Sequence, residues 1–391
     1  MSKYRTAIIA CGIIGRVHTR GWLGVTGQPT AIGTLADTNP DARREFGEFF
    51  AVPEQSRYAD YREMLDREQP DFVDVCSWHQ LHAEMVIAAA ARRPKAILCQ
   101  KPMAVDLREA DEMLTACARN DVKLIVAFQR PHHAVWLKAR DLLRAGVIGE
   151  IQQIQLCCGG NILNTNSHNI RLALFLMDEP GVEWIMGGVE RTTDLVERGL
   201  PAEDACMGIA QCDNGASILI AGNLIAGMGQ GCRVIGSEGF MDLGTGRKPD
   251  EEVPSDAPMY MPEGPSARYN CEFGTGRYIN ASTAGWQEIE APFHDSWAHQ
   301  CQDAIDWVEG KVDTAISAGE RGRAVQEVMM GLFESARKKQ RIYMPLKTKV
   351  NPLNLMVENG DLPIEWPGRQ EVRSRLVRGE GMSWHEGDGK A

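Results

Sequence analysis

No apolar run in this chain approaches the roughly 18 residues needed to span a bilayer. Positive charge is also short: 42 Lys and Arg stand against 53 Asp and Glu, a formal net charge of −11. That balance argues against nucleic acid or an anionic membrane as the main partner. There is no Cys-x-x-Cys and no His-Glu-x-x-His, so a metal centre is not expected. The eleven cysteines are odd in number and scattered, most of them (Cys76, Cys99, Cys157, Cys158, Cys212) in apolar, strand-like segments. They read as buried thiols in a reducing cytoplasm, not as a disulfide set. The N-terminus runs straight toward a first strand, so no signal peptide is expected. At 391 residues the chain is too long for one core and suited to two domains.

What is present begins with Thr6-Ala7-Ile8-Ile9-Ala10-Cys11-Gly12-Ile13-Ile14-Gly15-Arg16. An apolar run of strand length stops at glycine and gives way to a helix-like stretch. A second apolar run, Thr30 to Ala36, ends in Asp37. This is the layout of a dinucleotide-binding βαβ unit. Gly12 lets the backbone approach a pyrophosphate, and Gly15 lets the helix pack close to the strand. The helix N-terminus offers free N–H groups and a partial positive charge. Asp37 is placed to accept hydrogen bonds from the adenosine ribose. Its carboxylate repels a 2′-phosphate, which favours NAD over NADP. Arg43 and Arg44, a turn further on, read as solvated helix residues. The first glycine of the usual triplet is Ala10, so the turn is expected to be built differently there.

Up to about residue 130 strands and helices alternate, which implies a parallel sheet wrapped by helices with ligands beyond the carboxyl ends of the strands. Beyond it, strand-like stretches without intervening helices (Ile151–Cys158, Asp204–Cys212, Ala216–Leu224, Gly231–Ile235) fit an antiparallel sheet, with Asn214-Gly215 as a hairpin turn. The fold class is thus α/β: a Rossmann-type domain over 1–130, an α+β domain with a large, mostly antiparallel sheet over 131–345, and a C-terminal arm over 346–391. The region from Gly244 to Gly264 reads as a loop. Helices reach back to the core over Trp297–Glu309 and Glu320–Lys339. The open face of the second sheet, assigned to Ile218 and Ile220, needs covering, and a homodimer or homotetramer is expected.

Lys101, in Gln100-Lys101-Pro102 at the end of a parallel strand, would point toward the nicotinamide and share a substrate proton as hydride leaves the carbon. A solvated loop lysine is the plain alternative. In Asn161 to Arg171, Ser167 or Asn166 would cap a helix, with Asn164 just before it and His168 in its first turn. A histidine there can act as general base at neutral pH; a polar cap with a satisfied histidine is equally open.

On these segments the chain resembles the Gfo/Idh/MocA oxidoreductases, a family that includes glucose–fructose oxidoreductases and inositol dehydrogenases. Cys76-Ser77-Trp78-His79-Gln80-Leu81-His82 is similar to its Thr-Pro-x-x-x-His segment, and Gln100-Lys101-Pro102 to its Glu-Lys-Pro. Phe128-Gln129-Arg130 and Gly146 to Gly149 match a helix entry and exit, and Ala318 to Leu346 matches the closing helix. The resemblance implies cofactor contacts at Cys11, Gly12, Ile13, Ile14, Gly15, Asp37, Ser77, Trp78, His79, His82, Gln100 and Lys101. It implies Lys101 and His168 as the catalytic pair, with Gln129, His132, Asn164 and Arg171 at the substrate. Three carboxylates usual in that family are replaced, by Gln100, Asn164 and Arg171. A positive cavity and an anionic sugar would follow; alternatively Arg171 turns away to Asp178 or Glu179. The expected activity is hydride transfer between NAD and a ring carbon of a sugar or cyclitol. Alternatives are a glycoside hydrolase that oxidises C3 transiently and keeps its NAD, and a catalytically silent nucleotide sensor.

Overall fold

The computed structural model describes residues 3–26, 30–224, 231–247, 272–292 and 294–367. Its N-terminal part alternates as expected: β1 (Tyr4–Ile9), α1 (Ile13–Leu23), β2 (Thr30–Ala36), α2 (Pro40–Phe49), β3 (Arg57–Tyr58), α3 (Tyr61–Glu68), β4 (Phe72–Val75), α4 (His79–Ala90), β5 (Ala96–Cys99), α5 (Leu107–Arg119) and β6 (Lys123–Val126). These six strands form one parallel sheet in the order β3-β2-β1-β4-β5-β6. Their continuous apolar runs follow from burial on both faces. Ala7 and Ile9 of β1 point into one hydrophobic cluster, and Ile8 between them into another on the opposite face.

The chain continues through α6 (Ala134–Arg144), β7 (Ile151–Cys158), α7 (Ser167–Leu176), β8 (Val182–Glu190), β9 (Val196–Glu197), β10 (Leu200–Pro201), β11 (Ala205–Cys212), β12 (Ser217–Gly222), β13 (Gly231–Gly236), β14 (Gly239–Arg247), β15 (Glu272–Asn280) and β16 (Gln287–Glu288). It closes with α8 (Ser296–Val308), α9 (Gly319–Lys338), β17 (Ile342–Tyr343) and α10 (Pro352–Glu358). The second sheet, in the order β16-β15-β14-β13-β7-β12-β11-β8-β17, is antiparallel except for the β7–β12 pair. The loop expected from Gly244 starts later, because β14 runs to Arg247; its remainder lies outside the described residues. Gly146 takes φ +74 just past α6 and ends that helix as expected.

Two features were not visible beforehand. First, α8 places Cys301, Ala304 and Ile305 against Ile8, Leu35 and Leu98, so this distant helix covers one face of the first sheet. Second, the parity of the second sheet is opposite to the expectation. Ile218 and Ile220 are fully buried under the helices. The open face instead carries Met186 and Met207, 52% and 56% exposed. A one-residue error in a period-two pattern exchanges the two faces completely.

The C-terminal arm is ordered as far as it is described. α10 is capped by Asn351, whose Oδ1 accepts from Leu353 N. Glu365 N and Trp366 N both donate to the Thr192 carbonyl, at 2.7 and 3.0 Å, tying the arm to the segment that leads into β9.

Candidate active site

The dinucleotide end of the site is backbone-built. Ala10 itself takes the left-handed conformation, with φ +75 and its N–H on the Ala36 carbonyl at 2.8 Å. The expectation of a differently built turn is therefore corrected: the turn is kept and the alanine bears the strain. A Cβ on Gly15 would lie 2.4 Å from the Ala10 oxygen, which explains that glycine. A Cβ on Gly12 would meet nothing within 4 Å; it would project into open space at the start of α1. No side chain caps α1, so its first-turn amides remain available to a phosphate. Ile13 and Ile14 stand half-buried on this turn. The Asp37 carboxylate is aimed by two amides, Cys11 N to Oδ2 at 2.7 Å and Asn39 N to Oδ1 at 2.8 Å. Arg43 is not simply solvated, since its Nη1 donates to the Asp37 carbonyl at 2.6 Å. Glycine cradle, uncapped helix and oriented acid together fit a dinucleotide.

Beside this turn, at the ends of β4 and β5, Ser77 and Trp78 are half-buried and His79 is buried. His82 is a corrected expectation. Its ring spans two turns, Nδ1 at 2.9 Å from the Pro102 carbonyl and Nε2 at 3.0 Å from the Ser77 carbonyl. The single N–H of the neutral ring bonds one of these two carbonyls at a time; the ring is fully buried, and burial pushes its pKa down to about 4. Gln100 is likewise internal. Its Oε1 accepts Lys101 N at 2.5 Å, and its amide nitrogen faces His18 Nε2 at 3.5 Å.

His18 opens a buried group around Asp74. The Asp74 carboxylate accepts from His18 Nδ1 at 2.9 Å and Trp22 Nε1 at 2.8 Å, and Cys76 Sγ lies 3.2 Å away. His18, Asp74 and Cys76 could geometrically surround a metal ion. The chemistry favours hydrogen bonding. The carboxylate is already supplied with donors, and burial beside it pushes the Cys76 thiol far above the range where it would ionise.

Lys101 crosses from this edge to the second domain. Its Nζ donates to the Asn164 carbonyl at 2.8 Å and to Asn164 Oδ1 at 2.7 Å. Asn164 sits in the turn Ile162–Asn166 ahead of α7, and Asn161 caps that turn, its Oδ1 accepting Asn164 N at 2.9 Å. The expected helix is present from Ser167, but Asn166 makes no side-chain cap; the capping residue is Asn161. His168 follows in the first turn, buried, its ring edge-on to Phe128 at 5.8 Å and its Nδ1 without a partner. Burial, then the nearby Arg130 and Lys101 charges, hold its pKa well below the usual imidazole value. Amine and imidazole are thus brought together from opposite lobes.

Two expected substrate residues turn elsewhere. Arg171 is fully buried and pairs with Glu179 through two bonds, 2.7 and 2.5 Å, and with the Ile316 carbonyl at 2.6 Å. Its guanidinium is thus spent on Glu179 and a carbonyl in the interior, and it supplies no cation for an anionic substrate. His132 is also fully buried, its Nδ1 at 3.1 Å from His299 Nδ1, within a histidine group that includes His294. Its neighbour Arg130 is among the cations whose charge reaches His168. Gln129 is buried beside them, its Oε1 unpartnered.

Sequence reasoning missed the carboxylates that the site regains. Glu197, from β9, accepts from Asn164 Nδ2 at 2.5 Å and from Asn161 Nδ2. Glu203 accepts Ile162 N at 2.5 Å; burial and the Glu197 charge raise its pKa to about 7. Both lie on a segment with no motif of its own. Arg198-Gly199, each with positive φ, was the available signal for its tight hairpin.

A profile of the oxidoreductase family with an NAD-binding Rossmann fold matches residues 4–128. Over these residues the chain is similar to the NAD-binding domain of the Gfo/Idh/MocA oxidoreductases. The Gfo/Idh/MocA match makes the glycine turn, Asp37 and the ends of β4 and β5 parts of an NAD-binding domain. A D-apiose dehydrogenase of Paraburkholderia graminis is 34% identical over 126 residues, 32% of each chain. The myo-inositol 2-dehydrogenase of Thermotoga maritima is 26% identical over 189 residues, 45% of this chain and 55% of that one. The chain thus spans about a third and about half of these relatives. The second domain matches in fold: an aldose-aldose oxidoreductase from Caulobacter crescentus superposes with a TM-score of 0.72 at 17% identity, over 88% of this chain and all of that one. No helix among the described residues is long and apolar enough to cross a membrane.

Proposed function

We propose that the protein moves hydride between NAD and a ring carbon of a neutral sugar or cyclitol. The observation that carries this reading is the meeting of Lys101 with Asn164 and the neutral His168 at the carboxyl edge of β5. NAD, when bound on the glycine turn, supplies the hydride acceptor. The chain's own residues handle the proton and the orientation. Lys101, as an ammonium, offers an N–H to a substrate hydroxyl oxygen, Asn164 fixes that ammonium, and His168, uncharged at neutral pH, accepts the hydroxyl proton. The dehydrogenase names of the partial relatives support a polyol substrate. Neutrality of the substrate is supported by the engagement of Arg171 with Glu179 and by the carboxylate of Glu197 beside Asn164.

Absorbance of reduced nicotinamide, followed across a panel of neutral and carboxylated sugars and cyclitols, tests this directly. Turnover of a neutral member is expected, and silence across the panel would refute it. The redox-neutral hydrolase needs a proton donor for the leaving group. Glu203 holds a proton near neutrality, but it is only 1% exposed and cannot present it. Aglycone release from a chromogenic glycoside, with NAD required but not consumed, would reverse that ranking. A silent sensor fits less well with Lys101 held on Asn164 and its charge felt by His168. The buried free thiols suit the reducing cytoplasm. The exposed Met186 and Met207 face supports a homodimer or homotetramer, and a monomeric mass in solution would refute that.

A further inference from the structure

We propose that Glu197 is a positioning residue for Lys101, acting through the Asn164 carboxamide to set its direction and to keep the lysine an ammonium. A carboxamide is nearly symmetrical in shape and can present either its oxygen or its NH2 to a neighbour. Here the choice is forced. An ionised carboxylate only accepts, so Asn164 must turn Nδ2 toward Glu197, at 2.5 Å, and Oδ1 toward Lys101 Nζ, at 2.7 Å. The second Glu197 oxygen takes Asn161 Nδ2, and Asn161 Oδ1 holds Asn164 N. Both asparagines are therefore locked by one carboxylate.

The carboxylate is itself held from three sides. Gln80 of α4 donates Nε2 to the Arg198 carbonyl at 2.8 Å, pinning the hairpin to the first domain. Gly199 takes φ +82, which favours glycine, and a Cβ there would stand 2.7 Å from that same Nε2. Ala202 N closes the hairpin base on Leu195 O at 3.1 Å, and the C-terminal arm grips Thr192. Among the described residues, the other charged groups coupled to this corner include Arg130, Arg198, Glu203 and Asp204, with the histidines His79 of α4 and His168 of α7 beside them. Burial holds both histidines neutral, and Arg198 adds to the positive side. Glu203, raised to about 7, carries only part of a charge at neutral pH. Glu197 thereby supplies negative charge that the replaced carboxylate at Asn164 does not.

This inference rests on Lys101 being the amine of the reacting edge, and its first readout needs no turnover. The full chain is acylated with acetic anhydride across a pH series, and modification of Lys101 is quantified by peptide mass spectrometry with exposed Lys138 as internal standard. Glu197→Gln is expected to lower the Lys101 midpoint by about one unit, making its acylation at pH 8 about tenfold faster. Adding Asn164→Asp to Glu197→Gln puts a carboxylate on Lys101 directly and should return the midpoint to the wild-type value. Glu197→Asp, with the charge kept, should lie between, and serves if the glutamine variant does not fold. A midpoint that does not move in a folded Glu197 variant, or that the double variant fails to restore, overturns the proposal. With any polyol that turns over, kcat should fall about tenfold in Glu197→Gln at nearly constant KM. Failure of every polyol would sink the proposed function while leaving the lysine titration to decide this one.

Discussion

The two sides of the cleft are built on different principles. The dinucleotide side is made of backbone from short, contiguous segments: Ala10 to Gly15, with Asp37 one strand away. The substrate side is made of side chains from three distant segments, around Lys101, Asn161 to His168, and Glu197 to Glu203. A backbone cradle depends on a few small residues and on helix geometry, so its chemistry is fixed locally. A side-chain network depends on which loops meet, so a group lost at one position can return from another. The carboxylates missing at Gln100 and Asn164 are an example, since Glu197 arrives from a hairpin about 30 residues further on.

Acid should produce the largest separation between the sides. His132, His133, His168 and His299 cluster near the substrate side, and burial lowers their pKa values, to about 3 for His133 and about 4 for His299. A folded pKa below the unfolded value of about 6.5 means that the unfolded chain binds more protons as pH falls. Stability is therefore fully present above that value and is lost below it, by up to about 1.4 kcal/mol per histidine per pH unit. Glu203 and Asp303, raised to about 7 and about 6, oppose this but are outnumbered. Thermal melts should be level between pH 7 and 8 and fall steeply between 6 and 5. A level profile through pH 5 would mean that these imidazoles are not buried neutral.

Removing the amine comes next. Lys101→Met should reduce kcat by 10²- to 10⁴-fold, the usual range for a lost acid–base group, while NAD titration stays near wild type. Equal losses in both would merge the two sides of the cleft. The glycines give a sharper contrast within the backbone side. Gly15→Ala drives a Cβ into the Ala10 carbonyl and should destabilise the fold by about 3 kcal/mol. Gly12→Ala should melt within about 0.5 kcal/mol of wild type, because nothing meets its Cβ, yet bind NAD at least tenfold more weakly. Smallest is Ala10→Gly: relief of left-handed strain, less the entropy of glycine, should stabilise by about 0.5 kcal/mol. Loss of stability there would show that the alanine is not strained.

Legibility followed the same division. The parallel sheet, the glycine turn and the Lys101 edge were readable because their signals lie within a few residues of one another. The helix carrying His168 was readable too, though no side chain caps it and Asn161 caps the turn ahead of it. Arg171 could not be placed, since the same i, i+3 offset from His168 serves either a pocket or the interior, and Glu179 decided it. Ile218 and Ile220 were put on the wrong face because a strand buried on one side and half-buried on the other shows little alternation. β8 and β9 carried no recognisable pattern at all.

The order of residues alone determined the βαβ cradle, its preference for NAD and the candidacy of Lys101 and His168, because each depends on covalent neighbours and on the geometry they impose. Only the folded chain decided that Arg171 leaves the site, that α8 seals the first sheet and that Glu197 enters beside Asn164. Those outcomes depend on contacts between segments far apart in sequence, where burial and charge pairing select among positions that local spacing leaves equivalent.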